Sequence, residues 1–309
     1  MSRKSKIGIV VFALLSFSIV SAWYLFYKTY DYQYTFKART SKGVIFQRIT
    51  DWTTSSITHI DSIVIIDRKA FEQVQQTIWV KGQAYHIDWE LSRTKDSMTQ
   101  VDIGVNTSSN NLAKRLGMLL GQNPIKDHTL SLFLNFREYL DNFLKSTKVS
   151  DNIELGRSPE KWCAYVTLES DIKSKSNRMM ANNAYINAFL VNHDLALAGK
   201  PFTEILHWNL DSQRIKFNFC FPIAYGNDMP DHETIKFKQT VGRRSLKIDY
   251  YGNYRYSDRA WYALLDHAQK KNFSVDLQPV EVFLNNPITD GNENQWQAEI
   301  YLPIADEIN

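Results

Sequence analysis

The chain has 309 residues, 44% hydrophobic and 22% charged, with a formal net charge of +3 carried on interleaved acidic and basic residues. That length suits two ordinary domains, and the composition excludes a disordered chain. The balanced charge excludes the electrostatic footprint of a nucleic-acid binder, so no nucleic acid is expected as a partner.

The first predicted element is a membrane span. From Ile7 to Tyr27 there are 21 residues without a charge, enough at 1.5 Å per residue to cover roughly the 30 Å of a bilayer's hydrocarbon core. Trp23, Tyr24 and Tyr27 fall where an interfacial aromatic belt would lie, and Arg3, Lys4 and Lys6 precede the segment. The positive-inside rule then places the N-terminus in the cytoplasm and exports the rest: residues 1–30 form a single-pass anchor in the cytoplasmic (inner) membrane, with periplasmic or extracellular domains. A cleaved signal peptide ending at Val20-Ser21-Ala22 is the alternative. It has a longer apolar core than most signals and would leave Trp23–Tyr27 as an exposed apolar start.

Tyr32, Tyr34, Phe36 and Ala38 alternate with polar residues, the period of a half-buried strand. A short helix is predicted next, capped by Ser41 and carrying Val44, Ile45, Ile49 and Trp52, and then strand character over Ile57–Ile66. Three strands follow at about 71–80, 83–93 and 97–106, separated by Lys81-Gly82 and by Lys95-Asp96-Ser97. Between Asp127 and Lys145, Leu130, Phe133, Leu134, Phe136, Leu140, Phe143 and Leu144 recur at helical intervals, and this stripe needs a sheet to bury it. His59, His86 and His128 have no titratable neighbour at motif spacing and read as surface or core residues; Trp79 and Trp89 read as core.

The order strand, helix, strands, long helix over residues 31–148 resembles the START-like (SRPBCC) helix-grip family. The residues that carry it are Tyr34–Ala38, Ile49–Trp52, Tyr85–Leu91 and Leu132–Leu144. The resemblance implies a ligand cavity between sheet and long helix, and no particular activity.

Residues 149–160 lack apolar periodicity and read as a linker. The second domain, 161–305, repeats itself. Pro201–Leu206 followed by Phe219–Ile223 parallels Gln278–Phe283 followed by Ile300–Ile304, with Glu204 matched to Glu281. Each pair follows a helix, with Met180, Ala184, Ala188, Leu190 and Val191 in the first copy and Trp261, Leu264, Leu265 and Ala268 in the second. Ahead of the helices lie the strands Trp162–Leu168 and Ser245–Tyr251. The fold class is therefore α+β: a transmembrane helix, a helix-grip domain and a pseudo-twofold βαββ repeat. Two such units form one sheet with both helices on one face and a cleft on the other. If Val280, Val282 and Leu284 pack on the helices, then Glu281 and Phe283, with Glu299 and Tyr301, share the cleft side.

This second half resembles the GyrI-like effector-binding domain of AraC-type and MerR-type regulators. Gly252-Asn253-Tyr254 before a helix at Ser257–Gln269, Val280–Phe283 before Asn286-Pro287, and Ala298–Ile304 carry the resemblance. It implies binding of a small hydrophobic or cationic molecule, with Glu281 and Glu299 as acids and Phe283, Trp296 and Tyr301 as aromatic walls. It also admits a hydrolase using Glu281, and a third reading is an envelope scaffold or interaction protein. No helix-turn-helix precedes the domain, and no nucleophile elbow, metal triad or phosphate loop is present. Cys163 and Cys220 have no partner at zinc-ligand spacing and read as buried thiols, a disulfide in an oxidising compartment being the alternative; no metal and no cofactor is expected.

Overall fold

A computed structural model describes residues 3–22, 28–53, 60–94, 98–107, 124–224 and 229–305. It begins with helix α1 (Arg3–Ala22), whose Phe12, Leu14, Leu15, Phe17, Ile19 and Val20 are exposed. Among the described residues no helix is long and apolar enough to cross a membrane. The expected span of 7–27 is therefore not supported as a transmembrane helix. α1 ends at Ala22, and the proposed aromatic belt of Trp23, Tyr24 and Tyr27 lies outside the described residues, as do His59 and the Lys95-Asp96-Ser97 turn.

The first half follows the period-2 and period-3.6 patterns, except that Leu130 and Leu134 of the predicted helical stripe are exposed. β1 (Tyr32–Ala38), α2 (Lys42–Asp51), β2 (Ser62–Lys69), β3 (Gln73–Val80), β4 (Gln83–Arg93) and β5 (Thr99–Thr107) lead to α3 (Pro124–Ser146). The strands form one antiparallel sheet in the order β1-β5-β4-β3-β2. In β4, Tyr85, Ile87, Trp89 and Leu91 are buried and alternate with more exposed residues, so one face must be covered. α3 covers it with Leu132, Phe133, Phe136 and Leu140. Lys81 and Gly82 both have positive φ, 51° and 74°, which matches the twist of the tight β3–β4 hairpin they close. Among the described residues, rings pack together in the expected ligand space under α3: Trp89 lies 4.8 Å from Phe136 and 5.5 Å from Phe133, and Trp52 lies 5.0 Å from Phe136.

The second half is one larger antiparallel sheet. Its elements are β6 (Lys148–Val149), β7 (Glu154–Arg157), β8 (Trp162–Asp171), α4 (Lys175–Asn192), β9 (Phe202–Asn209), β10 (Arg214–Pro222), β11 (Lys236–Gln239), β12 (Arg244–Tyr251), α5 (Asp258–Lys271), β13 (Val280–Phe283) and β14 (Gln297–Pro303). The order β8-β10-β9-β13-β14-β12 is symmetric about the β9–β13 pair, as a twofold repeat of strand-helix-strand-strand requires. β11 extends one edge, while β6 and β7 pair with β12 at the other, so the stretch read as a linker carries two short strands of this sheet.

The halves are tightly joined. Residues Gly43 to Ile49 of α2 are all buried, with Ile45, Phe46 and Ile49 in the first core and Val44 in the second. Against them stands Tyr262 of α5, whose hydroxyl donates to Gln213 Oε1 at 2.8 Å and whose ring meets Phe71 edge-on at 5.6 Å. A Cβ on residue 43 would lie 2.3 Å from the Tyr262 ring, so only glycine lets the two helices approach this closely. Arg93 and Asp266 form an ion pair across the same junction.

Candidate functional site

Glu281 occupies the middle of β13 and is completely buried. Its row across the sheet is fixed by register: Val166, Phe219, Thr203, Glu281, Ile300 and Ile248 are successive cross-strand partners. In the same row Val166, Phe219, Ile300 and Ile248 belong to the core beneath α4 and α5. Glu281 and Phe283 therefore face the helices, and Val280 and Val282 face away, packed with Cys163, Phe202, Cys220 and Tyr301. This corrects the expected alternation. A four-residue strand reading Val-Glu-Val-Phe has no polar edge that decides its face, and the charge that seemed to belong outside has found a buried partner instead.

That partner is Lys175, the first residue of α4 and itself fully buried. Its ammonium pairs with Glu281, donates to Ser257 Oγ at 2.9 Å, and sits 4.5 Å from the centroid of the Trp261 ring. Glu281 also accepts from Thr203 Oγ1 at 2.9 Å and from Trp261 Nε1 at 3.0 Å. Both carboxylate oxygens and the ammonium are thus satisfied inside the protein, the condition on which a buried ion pair persists. Asp258, at the N-terminus of α5, is buried near the pair; burial, opposed by Arg48 and Lys175, raises its pKa to about 6.

Glu299 and Tyr301 lie on the other face. The Tyr301 hydroxyl donates to Glu299 Oε2 at 2.8 Å, and Lys247 Nζ lies 2.9 Å from Glu299 Oε1. Partial burial pushes the Glu299 carboxyl up, but Lys247 and Tyr301 outweigh it and hold it below its usual value. The five expected residues are therefore split. Glu281 is sealed in the core, Glu299 and Tyr301 are on the reverse face, and only Phe283 and Trp296 share a cavity.

That cavity, about 590 Å³, opens between α4 and the helix-facing side of the sheet. Phe219, Phe221 and Phe283 form its floor. One wall is aromatic, with Tyr254 between Phe283 (4.8 Å) and Trp296 (5.3 Å) and its ring tilted against both. The facing wall is the stripe Met179, Asn183 and Asn187 of α4. The helix turns a face one residue away from most of the expected one: Met179, Ile186 and Phe189 are buried with the expected Leu190, whereas Met180, Ala184, Ala188 and Val191 are exposed. Phe219 and Phe221 were missed because the repeat drew attention to glutamates; their i, i+2 spacing and the i, i+4, i+8 spacing of Met179, Asn183 and Asn187 were the available signals.

The repeat is also shifted by one residue from its expected alignment. Thr203, not Glu204, pairs across the sheet with Glu281, and Glu204 lies on the opposite face, bonded to Lys238 and Asn218. A one-residue slip exchanges the faces of every side chain in a strand.

No known family profile matches the chain, and neither does any curated protein. Solved structures do resemble it. The chain is similar to the EcmrR C-terminal domain, with 15% identity, 50% of this chain and 98% of that one covered, and a TM-score of 0.41. It is similar to SAV2435 bound to tetraphenylphosphonium, with 8% identity, 50% and 94% covered, and a TM-score of 0.36. A hydrolase from Listeria innocua aligns at 12% identity over 55% of this chain and 98% of its own, with a TM-score of 0.34. Likeness at this level carries no functional argument, and the geometry of the chain itself has to supply one.

Proposed function

We propose that this protein binds a small apolar molecule in the cavity between α4 and the sheet. The observation that carries the proposal is the cavity itself: about 590 Å³ with an aromatic floor and one aromatic wall, a size and lining suited to a small organic ligand. Paired βαββ units in one sheet support the GyrI-like reading of residues 161–305. The single sheet covered by α3 supports the helix-grip reading of 31–148. The hydrolase reading loses its base, since Glu281 is saturated by Lys175, Thr203 and Trp261 and does not line the cavity.

The test is a fluorescence titration with N-phenyl-1-naphthylamine, a neutral dye that brightens in apolar sites. The wild type should bind it with a saturable increase, and Asn183→Trp, which fills the cavity from the α4 wall, should abolish that increase. Equal binding by both proteins would place the dye elsewhere and sink the proposal.

The placement at a membrane is proposed on the sequence: the uncharged stretch 7–27 behind Arg3, Lys4 and Lys6, together with the exposed apolar side chains of α1. Alkaline carbonate extraction of cell membranes tests it. Release of the chain into the supernatant would refute an integral anchor.

A further inference from the structure

We propose that the cavity selects aromatic anions over aromatic cations because Lys175 already occupies, from inside the protein, the place an organic cation would take. This rests on the reading of the cavity as a binding site.

An organic cation is held in an apolar site by a carboxylate and by the face of an aromatic ring. Both elements exist here, in Glu281 and Trp261, and both are used by the chain's own ammonium. Lys175 Nζ pairs with Glu281 and lies 4.5 Å from the Trp261 ring centroid, with Ser257 Oγ at 2.9 Å as its further acceptor. The pair is one step beyond the cavity, since Ser176 follows Lys175 into its lining and Phe283 stands two residues along the strand from Glu281, on the same face. For a ligand's cation to use Glu281, Lys175 would have to give up this pair inside a closed interior, where buried Asp258 is the other carboxylate near it.

What the cavity presents to a ligand carries the opposite sign. Among the described residues, its charged lining residues are Lys200 and Arg255, and no aspartate or glutamate lines it. The carboxylates near its rim are engaged locally. Asp290 accepts from the Asn286 backbone at 3.0 Å and from Asn285 Nδ2 at 3.1 Å, and Glu293 accepts from Asn253 Nδ2 at 2.6 Å. Asn183 and Asn187 on the α4 wall are neutral, and Asn187 Nδ2 turns back to the Asn183 carbonyl at 2.8 Å. A flat apolar body against Phe283, Tyr254 and Trp296, with a carboxylate or sulfonate directed to Lys200 and Arg255, meets both of these charges. A cation meets neither.

The experiment uses two ions of nearly the same shape and opposite charge, tetraphenylborate and tetraphenylphosphonium, as displacers of N-phenyl-1-naphthylamine from the full chain. Tetraphenylborate should displace the dye at a concentration at least 10-fold lower than tetraphenylphosphonium. The pair Lys200→Glu with Arg255→Glu should reduce that ratio at least 5-fold, each ion's displacement being referred to the variant's own dye affinity. Lys175→Met, which leaves Glu281 without its ammonium, should gain affinity for tetraphenylphosphonium, and adding Glu281→Gln should remove the gain. Should the Lys175 variants fail to fold, the wild-type ratio and the rim variant decide. Displacement by the phosphonium at an equal or lower concentration than the borate overturns the inference while leaving a binding site in place. Failure of the dye itself to bind refutes the binding reading instead.

Discussion

Glu281 and Glu299, on adjacent strands of one sheet, point to opposite faces: one is sealed under the helices with Lys175, the other is bridged to Lys247 on the reverse side. Their removal should therefore have very different consequences. Glu281→Ala leaves a buried ammonium without its carboxylate and should cost about 3–5 kcal/mol. Glu299→Gln breaks a partly solvated pair and should cost less than about 1 kcal/mol. Urea unfolding of both variants measures the contrast, and similar midpoints would contradict the burial described for Glu281. Replacing Lys175 and Glu281 together by Met and Leu should recover most of the loss.

Asp258 makes stability depend on pH in an unusual direction. Its folded pKa of about 6 lies above the value of an unfolded aspartate, about 3.9. Between these values the native state keeps a proton that the unfolded chain has released, so this group's contribution falls as pH rises from about 4 to about 6. The groups that set it are Arg48 and Lys175, which oppose the rise, and Asp51 and Glu281, which add to it. Asp258→Asn should match the wild type near pH 4 and exceed it above pH 6, by the order of 2–3 kcal/mol. Chemical denaturation of both proteins across that range is the check; a gap independent of pH would refute it.

The approach of α2 to α5 depends on Gly43. With a Cβ at 2.3 Å from the Tyr262 ring, Gly43→Ala must push the helices apart and should destabilise by about 1–3 kcal/mol. Tyr262→Phe should cost about 1 kcal/mol through the bond lost to Gln213. A thermal melt of each variant reports the effect, and an unchanged midpoint for Gly43→Ala would show that the junction yields at no cost.

If the cavity binds the neutral dye, its aromatic wall should carry much of the affinity. Phe283→Ala and Trp296→Ala should each weaken N-phenyl-1-naphthylamine by about 1–2 kcal/mol, whereas Tyr301→Phe, on the reverse face, should leave it unchanged. Titrations of the three variants make the comparison. Sensitivity to Tyr301 would return the site to the face on which the sequence placed it.

The elements themselves were legible before the structure. Alternation over Tyr32–Ala38 and Tyr85–Leu91, the stripe Phe133–Leu144, the Lys81-Gly82 turn and the doubled strand-helix-strand-strand unit all follow from local periodicity, because the pleat and the helical turn impose it on any segment with one buried face. The placing of Glu299 and Tyr301 away from the helices was legible for the same reason, since seven residues are enough to show which parity is apolar.

Tertiary structure alone decided the site. Local pattern could not orient β13, because four residues alternate acceptably either way and the cost of burying Glu281 depends on Lys175, 106 residues earlier in the chain. The same holds for the packing of rings under α3, the closure of α2 against Tyr262, and the meeting of Phe219, Phe283 and Trp296 around one cavity. Sequence determines which residues share a face within an element; which face meets an opposite charge, and where packing leaves room, is set by contacts between elements that no local period records.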